Sequence, residues 1–235
     1  MNRPGRLVAA NSLSERDIER MLRLMLSHYD GVNKEKFRSD LNRKNGAIIV
    51  RDNDGFISGF STYRIDEITF DGKPYRVLYS GDTVVDESGR GSYGLFKGFA
   101  ELITPMLNSP DDNVYWFLIS KGIRTYLMLP LFFRSFYPNP DSPTPSFEAG
   151  LINHIAAYKF ESEYDKRSGI IRIDPPGYRL TTEYAGLTEK EQQNDYVRFF
   201  IEANPEFASG EELACLARVQ RDNITRAGMK LIDRL

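Results

Sequence analysis

The sequence predicts an α/β fold: a mixed, mostly antiparallel central sheet flanked by helices, with an added C-terminal lobe. Three observations carry this. Two amphipathic helical patterns precede three strand-like runs separated by Gly-containing turns. A long helix with an apolar stripe then leads into a short, uniformly apolar segment that reads as a buried strand. Finally, 235 residues, 41% hydrophobic and 27% charged, are enough for an ordinary globular core.

In chain order, residues 6–10 read as a short strand. Ser14 followed by Asp17 has the N-capping pattern, and Ile18, Met21, Leu22, Met25 and Tyr29 fall on one helical face. Asp30-Gly31 stops that helix. Asn33 can cap a second, with Phe37 and Leu41 facing inward, that ends near Asn45-Gly46. Residues 47–50, 56–70 and 75–85 are expected strands of an antiparallel meander, turning at Asn53-Asp54-Gly55 and Asp71-Gly72. Leu95, Phe96, Phe99, Leu102 and Ile103 repeat at helical spacing, residues 114–119 form the buried strand, and another helix is expected over about 124–136. Residues 138–145 hold four prolines and read as a linker or long loop, dividing a core over 1–137 from an extension over 138–235 that is expected to complete the sheet and the functional site. In the extension the expected elements are helix 147–164, strand 169–173, helix 194–204, strand 212–219 and helix 222–235.

Composition excludes several function classes. With 31 Lys and Arg against 33 Asp and Glu the net charge is -2, which gives no general electrostatic reason to expect a nucleic-acid or membrane-surface partner. The single Cys215 excludes an internal disulfide, and with only His28 and His154 beside it no Cys/His metal site is expected. The first ten residues lack the apolar stretch of a secretory signal, and the apolar run 126–133 contains Pro130 and is far below the roughly 20 residues that span a bilayer. The expectation is a cytoplasmic protein without a membrane span; a homodimer is left open.

The chemistry-bearing segment runs from Tyr79 to Phe96. A strand delivers a loop with three Gly, one Arg and two Ser onto a helix start, which gathers backbone N–H groups and the positive end of a helix dipole at one point, as a phosphate requires. The spacing is neither that of a P-loop nor that of a dinucleotide fingerprint. A loop that uses its glycines only for tight turning is the alternative.

Arg90-Gly91-Ser92-Tyr93-Gly94-Leu95 resembles the acyl-CoA-binding motif of the GCN5-related N-acetyltransferase (GNAT) superfamily, with Tyr93 and Leu95 standing where the family mostly has small residues. The predicted element order also matches that family over residues 5 to 137. The resemblance implies an acyl group moved from a pantetheine thioester, either acyl-CoA or acyl carrier protein, to a small-molecule amine acceptor. An N-acyl amino acid or a signal molecule would be the product. It further implies that Ser88, Gly89, Arg90, Gly91, Ser92, Tyr93 and Gly94 hold the pyrophosphate, that Thr83, Val84 and Val85 pair with the pantetheine amides, and that Ser120 bonds the pantetheine or thiolate. The strand carrying Asp82 and the strand over 114–119 should splay apart to admit the pantetheine arm. Asp82 or Glu67 would be the base that takes the amine proton. The family's acid position falls on Phe133, leaving Tyr126 and Tyr137 as candidates to protonate the thiolate. Each residue also has a structural reading: Asp82 as a bulge carboxylate, Ser120 as a helix cap, Tyr126 and Tyr137 as packing residues, and the aromatic group Phe132, Phe133, Phe136 and Tyr137 as core rather than as the lining of an acyl channel. The alternative function is a non-catalytic binding or interaction module on the same fold.

Overall fold

The computed structural model describes residues 5–86, 94–107, 113–173, 178–182 and 186–235. It has a mixed eight-stranded sheet in the order β1-β3-β4-β5-β6-β10-β8-β7, antiparallel at every pairing except β5 with β6. The strands are β1 (Arg6–Ala9), β3 (Gly46–Arg51), β4 (Ile57–Phe70), β5 (Lys73–Val85), β6 (Val114–Ser120), β7 (Tyr164–Asp165), β8 (Ile170–Ile171) and β10 (Glu212–Arg218). A two-stranded ribbon joins β2 (Tyr29–Asp30) to β9 (Arg179–Leu180).

Helix α1 (Glu15–His28) starts where its sequence says it should, with the Ser14 hydroxyl accepting from the Asp17 N–H at 3.1 Å. Asn33 caps α2 (Lys34–Asn42) in the same way through the Lys36 N–H. The apolar faces of both pack with Ala47, Ile49, Phe60 and Val84 into one buried cluster. On the same face of the sheet, α6 (Ser146–Phe160) covers a separate cluster that holds Tyr75, Val77, Phe117, Ala214 and Leu216. The opposite face carries the largest cluster, built around α3 (Gly94–Leu107) and centred on Phe99 and Trp116, whose rings lie 4.8 Å apart. The last residues form α9 (Arg226–Ile232), capped by Thr225 and packed against α3.

Some expectations are corrected. The helix expected over 124–136 is two short pieces, α4 (Ile123–Tyr126) and α5 (Met128–Phe132). Pro130 has no N–H to give the Tyr126 carbonyl and its ring crowds that carbonyl, which favours the break seen at Leu127. Beyond Phe132 the chain is extended, and Phe133 and Tyr137 form bridges to Ile224 and Leu216. Tyr29 leaves α1 to pair with Leu180. The terminal helix is shorter than expected, and Arg221–Asn223 is a 3-10 turn. After the capped turn α7 (Glu189–Gln192), α8 (Asp195–Ala203) runs close to its expected bounds. Within residues 138–235, β10 lies beside β6 in the main sheet.

The seating of α3 on β3 depends on Gly98, where a Cβ would come within 2.1 Å of the Ile48 Cγ2. Gly98→Ala should therefore destabilise the chain by about 1–3 kcal/mol through overpacking, in spite of the better helix propensity of alanine. Urea unfolding reads this as a lowered midpoint at constant slope. An unchanged midpoint would mean that α3 is not seated this closely.

Candidate functional site

The site begins with one extra residue. Phe60 pairs with Val84 and Thr62 with Gly81, so Asp82 and Thr83 together oppose Ser61 in a β-bulge, with Asp82 at φ 45°. The bulge shifts the alternation of β5. Tyr75, Val77 and Tyr79 lie on the α6 side of the sheet, and beyond the bulge it is Val84 that packs under α1 on the same face. The parallel pairing of β5 with β6 runs from Arg76 and Val114 to Ser80 and Leu118 and stops there. From Gly81 onward β5 has no strand partner on that side among the described residues, and the pairing with β6 ends at the bulge.

The Asp82 carboxylate sits in this gap. It accepts from the Thr62 hydroxyl at 3.0 Å and from the Tyr178 hydroxyl at 2.5 Å. Tyr178 is itself held from several directions. Its ring meets Tyr29 edge-on with centroids 5.0 Å apart, and the Lys121 ammonium stands 4.2 Å above it. The same ammonium donates to the Tyr178 carbonyl at 2.7 Å and pairs with Glu212 at 2.7 Å, both charges being almost fully buried. Burial, and then the charges of Asp82 and Glu212, push the phenols of Tyr29, Tyr79 and Tyr178 far above their ordinary range, so all three stay neutral. A small cavity of about 50 Å³ lies among these residues.

A larger cavity of about 390 Å³ opens beyond the gap, within the range of roughly 300–1,000 Å³ usual for small-ligand sites. Thr83, Val84 and Val85 form one wall, Leu95 and Phe96 at the start of α3 another, and Gly122 to Thr125 a third. Leu180, Leu187 and Phe207, all from the extension, cover it. His28 lines it as well, with Nε2 3.0 Å from the Val85 carbonyl oxygen. The two cavities share Tyr29, Thr83 and Thr125.

The structure thus brings together Asp82, Thr83, Val84, Val85 and the first residues of α3, which begins at Gly94. Ser88, Gly89, Arg90, Gly91, Ser92 and Tyr93 lie outside the described residues. Glu67 stands apart from the gap: it is exposed, opposite Arg76, and its register places it on the other face of β4 from Thr62. Tyr126 is fully buried among Phe136, Phe199 and Phe200 and donates to the Pro138 carbonyl at 2.9 Å. Tyr137 pairs its backbone with Leu216 and packs on the α6 side. Neither tyrosine lines either cavity. Phe132, Phe133 and Phe136 are core around Trp116 and Tyr126 rather than a channel wall. Ser120 caps no helix, since Gly122 is the N-cap of α4; its buried hydroxyl lies beside the Cys215 thiol and has no hydrogen-bond partner of ordinary geometry. Sequence reading missed Tyr178, Lys121 and Glu212. The signal for the last two was a charge at the edge of each of two apolar strands, with opposite signs.

Among the described residues no group of three or more His, Cys, Asp or Glu is placed to hold a metal ion, and no helix is long and apolar enough to cross a membrane.

The raised tyrosines set an alkaline limit. Their neutral forms are favoured in the folded state, so this contribution is complete below the unfolded value of about 10 and is lost as pH rises above it. Absorbance titration should show part of the 13 tyrosines failing to ionise until the fold is lost, whereas the urea-unfolded chain titrates as one class. A native curve that superimposes on the unfolded one would contradict the burial of this cluster.

No family model and no curated protein matches this chain. Among solved structures it is similar to a probable N-acyltransferase from Enterococcus faecalis, at 13% identity and TM-score 0.44 over 58% of this chain, which spans only about a third, 33%, of that protein. It is also similar to the NatC complex bound to Gag peptide and CoA, at 17% identity and TM-score 0.43 over 57% of this chain and 87% of that one. A third similar structure is a GNAT family N-acetyltransferase from Escherichia coli in complex with CoA, at 12% identity and TM-score 0.36 over 50% and 63% of the two chains.

Proposed function

We propose that this chain is an acyltransferase that moves an acyl group from a pantetheine thioester, with acyl-CoA as donor, to an amine. The observation that carries the reading is the parting of β5 and β6 at a bulge whose carboxylate, Asp82, faces the gap, with the larger cavity on the far side. The donor supplies the activated carbonyl. The residues fit an extended amide-bearing arm: Thr83 to Val85 have lost their partner strand on the β6 side, and the walls from α3, α4 and the extension are mostly apolar. Arg90 and the glycines around it hold the phosphates in this reading, at the start of α3.

The chain's own groups then act on the acceptor. An attacking amine must lose a proton, and in this reading Asp82, which lines the smaller cavity, takes it directly or through a water. Thr62 and Tyr178 each donate to one of its oxygens, which fixes the orientation of the carboxylate. Tyr126 and Tyr137 have no role in this scheme. The hydroxyls of Tyr29 and Tyr178, which also line the gap, are the ones available to protonate a departing thiolate.

The decisive assay is thiol release from short- and long-chain acyl-CoA, and from acyl carrier protein loaded with the same chains, mixed with amine acceptors. Asp82→Asn should keep CoA affinity and melting temperature and lose most of the transfer rate. Tyr178→Phe keeps the ring contacts but releases the carboxylate, so it should lower the rate by roughly tenfold while leaving CoA binding unchanged. Arg90→Glu should weaken CoA binding more than tenfold, about 1.4 kcal/mol. A chain that binds CoA and releases no thiol across the panel is a binding module; one that binds no CoA is not of this class at all.

A further inference from the structure

Helices cover one face of the sheet in two separate patches, and the strands between them are polar. Along β4 the residues on that face read Phe60, Thr62, Arg64, Asp66, Ile68, Phe70. Phe60 belongs to the cluster under α1 and α2, Ile68 and Phe70 to the cluster under α6, and the three polar residues fall in the interval. On β5 the same interval carries Tyr79 and Gly81, directly before Asp82. The floor of this groove therefore leads up to the gap.

Two polar groups converge at Gly81. A Cβ there would lie 3.3 Å from the Tyr79 hydroxyl and 3.6 Å from the Lys44 ammonium. Lys44 stands 4.6 Å from the Tyr79 ring centroid, and among the described residues it makes no ion pair. The Tyr79 hydroxyl has no hydrogen-bond partner among the described residues. Lys159 approaches the same ring at 4.7 Å, and it and Arg64 share the single carboxylate of Asp66. Arg64 and Lys159 are thus paired through Asp66, Lys121 with Glu212, and Asp40, whose charge also reaches the Tyr79 phenol, with Arg43, which leaves Lys44 as the cation beside Gly81 that makes no ion pair among the described residues.

We propose that Lys44 and the Tyr79 hydroxyl form a carboxylate subsite, and that the acceptor is a small amino acid whose amine is one or two carbons from its carboxylate. This rests on the acyl-transfer reading and names its acceptor. The subsite adjoins residue 81 and the base is residue 82, so an anionic group held at the first places a nearby amine at the second. A short separation between amine and carboxylate meets that spacing. The absence of a side chain at Gly81 leaves the two donors open to the ligand.

The test is calorimetric titration of the full chain, saturated with CoA, using a panel of α- and β-amino acids and the corresponding amino-acid amides. At least one acid should bind, and its amide should bind at least tenfold more weakly, because the amide lacks the charge that Lys44 and Tyr79 recognise. Lys44→Gln should abolish that discrimination and leave CoA affinity unchanged, Lys44→Arg should restore it in part, and Tyr79→Phe should weaken acid binding alone. Amides that bind as well as acids, an acid preference untouched by Lys44→Gln, or no acid bound by CoA-loaded protein would each overturn the proposal. Failure of CoA itself to bind would count against the donor reading instead. The same titrations without CoA would then decide the carboxylate subsite separately.

Discussion

One additional residue in β5 organises this molecule. With strict alternation, the face that carries Tyr75, Val77 and Tyr79 would continue through Gly81 to Thr83 and Val85, and Val84 would turn away from α1. The bulge at Asp82 and Thr83 lets both ends of a 13-residue strand present apolar side chains to the same face, although two different helical layers cover them. The same distortion bends β5 away from β6. Packing and the opening between the strands are thus one constraint, and neither can be altered without the other.

A strand gap at the centre of a sheet exposes backbone polar groups and invites water, so it needs support from elsewhere. That support comes from the extension. Glu212 neutralises Lys121 in a buried pair, and Tyr178 closes over Asp82 while Leu180 pairs with Tyr29. A buried ion pair costs desolvation that its attraction only partly offsets, and removing one partner leaves an uncompensated charge at about 3–5 kcal/mol. Its value here is positional: Lys121 fixes the backbone of Tyr178 through the carbonyl and its ring through the ammonium.

Much of the fold was legible in local pattern. The caps at Ser14 and Asn33, the stripe of α1, the three-stranded meander and the buried β6 are each written in a few consecutive residues, and each was found near its place. The bulge was not legible, because Val84 and Val85 are both apolar and either could continue the buried face. The site was legible only in part. Asp82 is marked by its place before the glycine-rich loop, whereas Glu67 falls on the opposite face of its strand by period two. Tyr126 and Tyr137 belong to a segment that breaks near Pro130 and continues as extended chain. Tyr178 was invisible because nothing local marks it: its importance comes from a contact across 96 residues with Asp82.

That long reach has a consequence for synthesis. The strand that completes the sheet beside β6 begins more than 90 residues after β6 ends, and Glu212 lies at its first position. A nascent chain that has emerged only through β6 has the bulge and Asp82 but an unpaired edge, a buried lysine without its carboxylate, and no tyrosine on the carboxylate. The opening stays unsupported until translation has passed residue 212. A ribosome-bound chain that has not yet passed residue 212 therefore lacks the buried Lys121–Glu212 pair, and formation of this support waits on a segment far from β6 in the sequence.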